Sequence, residues 1–197
     1  MAQSSTITGD ADSGPLWFWR EFEEPYGYLS QWYECPFEVD GVTYLTAEMW
    51  MMIEKAKLFG DEETAQKMME TTVPAEHQAL GRKAKGFDRK KWDQRESAIV
   101  RDGIKYPVLT LALSDKSRIV EEGNYHKFTK SKTKPEMLGM LMATGDRELV
   151  EASPTDRIWG VGFGAATAEE NRADWGENRL GKAIMAVRDR LKQEGHQ

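Results

Sequence analysis

The sequence predicts an α+β protein with a single domain, predominantly helical, with a small antiparallel sheet or hairpin. Its 197 residues, 40% of them hydrophobic, are enough to bury one core. The last predicted helix repeats apolar residues with a 3.6-residue period from Leu180 to Leu191. Alternating apolar and polar residues flank Asp40-Gly41, the strongest short hairpin signal in the chain.

The N-terminal segment differs in composition from the rest of the chain. Residues 1–14 are rich in Ser, Thr, Gly and Asp and lack the charged start and apolar centre of a secretory signal. We therefore predict a disordered tail over residues 1–14 and one folded domain over residues 15–193.

The elements of the first half follow from local patterns. Aromatic residues predict a strand near Leu16–Phe22, and Thr46 is a plausible N-cap for a helix that ends near Phe59. The next helix is predicted from near Asp61 to near Thr71, and Pro74 and Gly81 are expected to begin and end another.

The second half is less regular. A helix is expected after Asp88 and before Gly103, while residues 104–122 fit either a strand or a helix. A short helix contains Met137 and Leu141, a strand is expected over residues 147–153, and the periodic helix closes the chain.

Composition excludes several classes of function. A net charge of -6 argues against a protein whose main affinity is for a nucleic-acid backbone. Cys35 is the only cysteine, and three dispersed histidines give no metal-ligand spacing. No apolar run is long enough to span a bilayer. We expect an intracellular, cytoplasmic protein with no metal and no cofactor, and its oligomeric state stays open.

Two residues on the helix after Thr46 carry the first chemical signal. Glu48 lies in the first turn among apolar residues, where burial would raise its pKa and make it a candidate acid or base. Lys55 follows seven residues later on the same face. The Lys55 side chain has two interpretations. In the first it extends its amine to solvent. In the second the amine is functional and either binds phosphate or attacks a sugar carbon as a nucleophile.

A second signal comes from two polar stretches near the C-terminus. One loop carries the carboxylate of Asp156, the indole of Trp159 and Gly160, where a ligand is able to approach the backbone closely. Asp156 by itself is also explained as a turn cap. Asn178 fits an N-cap equally well, and Lys182 puts a cation in the first turn of the last helix, which favours an anionic partner.

The order of short motifs resembles the NADAR family, also described as YbiA-like or DUF1768. The resemblance covers about residues 18–191. The matching pieces include Tyr26–Ser30, Phe37–Glu48, Lys55-Ala56, Gly81-Arg82, Trp92, Lys127-Phe128, Leu149–Ser153, Asp156, Trp159–Gly162, Trp175–Asn178 and Leu180–Lys182. This chain departs from the usual pattern at Gln31, where the family usually has Asn, and at Met49, where it usually has His.

The resemblance implies cleavage of a bond between ribose and nitrogen. Implied substrates are ADP-ribose on a guanine base or a phosphoribosylated intermediate of riboflavin synthesis, with nucleic acid only as a carrier of the modified base. The alternative is a non-catalytic module that binds ADP-ribose or an NAD-type nucleotide.

The implied roles form two groups. Glu48 is expected as the acid/base, Asp156 as the second carboxylate, and Lys55 as a phosphate ligand or imine-forming amine. The expected substrate-binding residues are Tyr28, Ser30, Arg82, Trp92, Lys127, Phe128, Glu151, Trp159, Gly160, Asn178 and Lys182.

Overall fold

The computed structural model describes residues 14–93 and 115–196. The helices are α1 (Ala47–Leu58), α2 (Glu62–Met69), α3 (Pro74–Arg82), α4 (Arg89–Asp93), α5 (Asp115–Lys130), α6 (Met137–Met142), α7 (Ala165–Ala168) and α8 (Arg179–Gln193). The strands are β1 (Leu16–Phe18), β2 (Phe37–Val39), β3 (Val42–Tyr44) and β4 (Leu149–Glu151). The predicted class, a mainly helical α+β fold with small sheets, is confirmed.

The hairpin forms where the alternation predicted it. Strands β2 and β3 pair antiparallel, with Phe37 opposite Tyr44. Asp40 and Gly41 have φ values of 52° and 77°. Positive φ at both central positions gives a turn whose twist matches that of the flanking strands.

A second two-stranded sheet joins distant parts of the chain. Strands β1 and β4 run parallel, with Leu16 opposite Leu149 and Phe18 opposite Glu151. Both strands are shorter than the aromatic and apolar patterns predicted. Pairing ends at Glu151, which brings this residue to the edge of the core, and the chain then turns into the loop that carries Asp156.

Side-chain caps fix the starts of α1 and α2 as predicted. The Thr46 hydroxyl accepts a hydrogen bond from the backbone N–H of Met49 at 3.0 Å, and the Asp61 carboxylate accepts one from Thr64 at 3.1 Å. These bonds satisfy N–H groups that have no partner within the helix. The cap at Thr46 places Glu48 in the first turn of α1.

The predicted end of α3 at Gly81 is wrong, because Gly81 lies inside the helix, which ends at Arg82. Glycine occupies position 81 because two helices pack closely there, and not because the helix ends there. A Cβ atom at Gly81 would collide with the Met52 side chain, so glycine allows α3 to lie close to α1.

Parts of other predictions lie outside the described residues. These are residues 1–13 of the predicted tail, the continuation of the helix after Asp88 beyond α4, and residues 104–114 of the ambiguous segment. Residues 115–122 of that segment form the first half of α5, so helix is the correct alternative there. Among the described residues, no helix combines the length and the apolar character needed to cross a bilayer.

Helix α1 is central to the core and packs against α2, α3 and α5. Its Trp50 indole donates a hydrogen bond to the Ile119 carbonyl at 3.1 Å. The same ring lies against Gly123, where an added Cβ would be 2.5 Å from the ring. The indole therefore fixes the approach of α5 to α1 through one hydrogen bond and one close contact.

We expect Gly123→Ala to lower the free energy of unfolding by about 1–3 kcal/mol, because the methyl group displaces the Trp50 ring. The gain of about 1 kcal/mol in helix propensity offsets only part of this cost. Gly139→Ala in α6 is the control, since a Cβ atom there meets nothing within 4 Å. Urea unfolding of both variants checks the prediction, and equal stabilisation of both would contradict it.

Candidate active site

Helix α1 buries a carboxyl group in its first turn. Glu48 is 4% exposed, and its backbone N–H donates to the Gln31 carbonyl at 3.0 Å. Burial raises the pKa of Glu48 to about 7, although the positive charges of Lys55 and Arg82 partly oppose this shift. A carboxyl group with such a pKa is able to give or accept a proton near neutral pH.

Lys55 is also buried, at the other end of the same helix face. Its Nζ donates to the Gly81 carbonyl at 2.8 Å and lies 4.2 Å from the centroid of the Phe87 ring and 5.5 Å from that of Trp92. Burial is the largest cause that lowers the pKa of Lys55, and the neighbouring charge of Lys116 adds to it. The amine is therefore more readily deprotonated than an exposed lysine.

The loop after β4 holds Asp156 by its own backbone. The Asp156 Oδ1 atom accepts hydrogen bonds from the N–H groups of Ile158 at 2.7 Å and Trp159 at 2.8 Å. This is the turn-capping geometry that the sequence allowed, so one carboxylate oxygen of Asp156 is committed to the loop. A Cβ atom at Gly160 would be 2.7 Å from the Glu151 carbonyl, which explains the glycine at that position.

Electrostatic effects link these segments. The pKa of Glu151 is raised to about 8 by burial and by the negative charges of Asp156 and Glu48. We call Glu48, Glu151 and Asp156 the acidic cluster. These effects couple the start of α1 electrostatically to the end of β4 and the following loop.

Lys116 completes the connection and was not predicted from the sequence. This residue of α5 is 8% exposed, and its Nζ lies 4.9 Å from the centroid of the Trp159 ring. Its charge also acts on Lys55. Lys116 falls in the segment whose secondary structure the sequence left ambiguous, and nothing in the local pattern marks it as buried.

Two other predicted ligand-binding residues lie beside Lys55. Arg82 is exposed, its guanidinium donates to the Gln78 side chain at 2.9 Å, and its charge acts on both Glu48 and Lys55. Trp92 is 6% exposed, and its ring lies 6.3 Å from that of Phe59. The Trp92 ring therefore borders the lysine as part of the core.

Four predicted binding residues lie around a different buried contact. The Lys127 amine is fully buried and donates to the Ser30 carbonyl at 2.8 Å, and burial lowers the pKa of Lys127 to about 7. The Tyr28 hydroxyl donates to the Met140 carbonyl at 3.0 Å, and Phe128 is 2% exposed. These contacts join α5 and α6 to the segment before the hairpin, and the next residue of that segment, Gln31, accepts a hydrogen bond from the Glu48 N–H.

Asn178 and Lys182 contact backbone. Asn178 stands at the N-cap position of α8, but its side chain makes no capping bond. Its side-chain oxygen accepts from the Glu151 N–H at 3.0 Å, and its amide donates to the Leu149 carbonyl at 2.9 Å. The Lys182 amine donates to the Glu177 carbonyl at 2.7 Å. Asn178 thus holds the backbone of β4, the strand that carries Glu151.

The two departures from the usual motif have different surroundings. Met49 is 2% exposed, and its sulfur accepts a hydrogen bond from the Leu45 N–H at 3.4 Å, so this side chain belongs to the core. Both polar atoms of the Gln31 side chain are buried without a hydrogen-bond partner among the described residues. The substitution at position 49 therefore leaves Glu48 in place.

The described residues show no metal centre: no three His, Cys, Asp or Glu side chains among them are placed to hold an ion. A shallow hollow near the hairpin is lined by Glu38 and residues 129–132, and none of the predicted site residues lines it. The candidate site is therefore the group of segments around the acidic cluster, Lys55 and Trp159.

The fold is that of a small, mainly helical α+β protein in which the buried Glu48 and Lys55 share one face of α1. The NADAR domain family matches residues 17–106 and 113–192, which is most of the chain. The chain therefore belongs to the NADAR family.

Several relatives are similar to this chain over most of its length. An N-glycosidase of Acanthamoeba polyphaga mimivirus is 35% identical, with coverage of 84% of this chain and 88% of the relative. A riboflavin biosynthesis protein of Vibrio vulnificus is 26% identical, and the match covers 91% of this chain but 39% of that protein.

Escherichia coli YbiA is similar in both sequence and structure. The N-glycosidase YbiA is 25% identical to this chain, with 87% of this chain and 85% of YbiA covered. Its NMR structure superposes with a TM-score of 0.68 at 24% identity and covers 96% of this chain and 91% of YbiA. This likeness confirms the fold.

The raised pKa of Glu48 predicts how stability varies with pH. The folded state holds a proton that the unfolded state releases at its ordinary pKa of 4.5. The contribution of Glu48 is therefore complete below this value and is lost as pH rises toward about 7, amounting to at most about 3 kcal/mol.

We expect Glu48→Gln, which keeps the shape without a titrating proton, to reduce the fall in stability between about pH 5 and about pH 7. Urea unfolding across this range measures the slope. Glu62→Gln on the exposed face of α2 is the matched control and should keep the wild-type slope. An unchanged slope in Glu48→Gln would remove Glu48 as a buried proton carrier.

Proposed function

We propose that the protein hydrolyses a ribose N-glycosidic bond. Two observations support this proposal. The acidic cluster, in which Glu48 is buried, interacts with Lys55 through charge, and the family includes proteins named N-glycosidases. Cleavage of such a bond develops positive charge at the anomeric carbon, which nearby carboxylates stabilise. Proton transfer to the departing nitrogen is the second requirement.

In this proposal Glu48 is the acid/base and Asp156 is the second carboxylate. The pKa of Glu48, raised to about 7, suits a group that exchanges a proton during each cycle. One Asp156 oxygen accepts hydrogen bonds from the Ile158 and Trp159 N–H groups, and these bonds fix the carboxylate on the loop. Asp156 would then stabilise the charged sugar from a fixed position.

Lys55 has two possible roles, and its surroundings favour the imine. A nucleophilic amine must be neutral, and burial near the Phe87 and Trp92 rings lowers the pKa of Lys55. Its attack on the anomeric carbon would expel the nitrogen base, and opening of the ribose ring would give an imine that water hydrolyses. The phosphate role would then pass to Arg82 and Lys116, whose charges act on Lys55.

The substrate class follows from the same surroundings. Trp159 offers a ring for stacking, and the cations around Lys55 favour a phosphorylated ribose. We propose ADP-ribose attached to a guanine base, or a phosphoribosylated intermediate of riboflavin synthesis. The riboflavin biosynthesis protein of Vibrio vulnificus, which matches over the NADAR region, supports testing the second substrate.

We expect wild-type protein to release free guanosine from ADP-ribosylated guanosine, as detected by chromatography. Glu48→Gln should lower turnover by about 100-fold or more, because proton transfer of this kind contributes about 10²–10⁴-fold. The variant should still gain thermal stability from ADP-ribose. Full activity in Glu48→Gln would exclude the proposed role of Glu48, and stabilisation of the wild type by ADP-ribose without turnover would favour the non-catalytic binder.

The role of Lys55 is tested by reduction with borohydride during turnover. We expect wild-type protein to gain a covalent sugar adduct, seen by mass spectrometry, and Lys55→Met to gain none. Lys57→Met is the matched control on the same helix, since Lys57 pairs with Glu54 at 2.9 Å. Turnover without an adduct in the wild type would leave Lys55 as a phosphate ligand only.

A further inference from the structure

Glu151 is a half-buried acid whose carboxyl Oε2 atom is fully buried, and the proposed roles of Glu48, Asp156 and Lys55 leave it without a proton-transfer role. It is the last residue of β4, and its backbone is held on both sides. The N–H donates to the Asn178 side chain at 3.0 Å, and the carbonyl accepts from Val161 at 3.0 Å. The position of this side chain is therefore set by a strand, a loop and the start of α8.

One oxygen of the carboxyl group is unsatisfied. The Oε2 atom is buried and has no hydrogen-bond partner among the described residues. A buried carboxylate without a donor or a cation is costly, whereas the protonated acid carries no charge. An unsatisfied buried O–H group gains a hydrogen bond when an acceptor, such as the nitrogen of a bound base, arrives beside it.

The charged groups that act on Glu151 are acids. Asp156 on the following loop and Glu48 on α1 both disfavour a negative charge there, and with burial they raise the pKa of Glu151 to about 8. Glu48 differs, because Lys55 and Arg82 favour its anionic form and keep its pKa at about 7. Glu48 and Glu151 therefore lie in different electrostatic surroundings, as do the paired carboxyl groups of enzymes that use one as an acid and the other as a base.

We propose that Glu151 is the catalytic acid that protonates the departing nitrogen, while Glu48 acts as the base toward water. This inference rests on the proposed N-glycosidase function and assigns the leaving-group proton within that site. Asp156, with one oxygen held by two backbone N–H groups, supplies a fixed negative charge near the sugar.

The steps balance without a further reactant. The bond between the anomeric carbon and nitrogen breaks, its electron pair goes to nitrogen, and nitrogen takes the proton of Glu151. The anomeric carbon, directly or after release from Lys55, gains the oxygen of water, and a water proton passes to Glu48. Transfer of that proton from Glu48 to Glu151 restores the starting state, and the net change is addition of one water molecule.

The test compares Glu151→Gln with the wild type on ADP-ribosylated guanosine. Gln has the shape of the protonated acid but cannot donate an acidic proton, so turnover should fall by about 100-fold or more. In the wild type, kcat should decrease above about pH 8 as Glu151 loses its proton. The residual rate of the variant should lack this decrease. Glu170→Gln, at an exposed position, is the control and should match the wild type.

A second measurement needs no substrate. Difference infrared spectroscopy near neutral pH should show the carbonyl stretch of protonated carboxyl groups in the wild type. The component from Glu151 should be lost in Glu151→Gln and kept in Glu170→Gln, while the component from Glu48, whose pKa is about 7, should stay in both. Circular dichroism and thermal stabilisation by ADP-ribose establish that the variant is folded and binds ligand.

The outcomes separate the two proposals. If the wild type releases no guanosine, the N-glycosidase function fails, and the acid role of Glu151 fails with it. If the wild type is active and Glu151→Gln keeps its rate, or keeps the decrease above about pH 8, only the role of Glu151 is overturned. An infrared spectrum that Glu151→Gln leaves unchanged would also overturn it.

Discussion

The position of Glu151 and the loop after it depends on two hydrogen bonds made by the Asn178 side chain. Its oxygen and its amide group bond the N–H of Glu151 and the carbonyl of Leu149, so one side chain holds both ends of β4. Asn178 has a φ of 49°, a left-handed conformation that asparagine tolerates better than most residues. With this conformation the side chain bonds the strand instead of capping α8. Strand, loop and helix are thereby fixed relative to one another behind the acidic cluster.

The second constraint is the burial of charge without full pairing. Glu48 is removed from water and Glu151 is partly removed from it, and the pKa values of both residues are raised, although the nearest acids and cations act on them unequally. Such groups destabilise a folded protein unless they are neutral or paired. Their retention in one place is typical of a site that moves protons. By contrast, the buried Lys127 amine has a backbone carbonyl as partner and joins elements of the core.

Lys55 shows how packing tunes a functional group. The amine reaches the Gly81 carbonyl because a glycine inside α3 lets that helix lie close to α1. The same closeness places the amine beside the Phe87 ring. A side chain at position 81 would have to displace the Met52 side chain, which packs between the two helices. The residue that the sequence suggested as a helix stop is thus a contact that shapes the site.

Local patterns in the sequence determined the elements whose causes are themselves local. The Asp40-Gly41 turn, the cap at Thr46 and the periodic last helix each depend on neighbouring residues, and each is found where it was predicted. The spacing of Glu48 and Lys55 on one helix face follows from the same rules. Only the tertiary structure decided the parallel pairing of β1 with β4, the approach of Lys116 to Trp159 and the bonds of Asn178. These contacts join residues far apart in the chain, and their strength comes from burial and mutual distance, which no local pattern encodes.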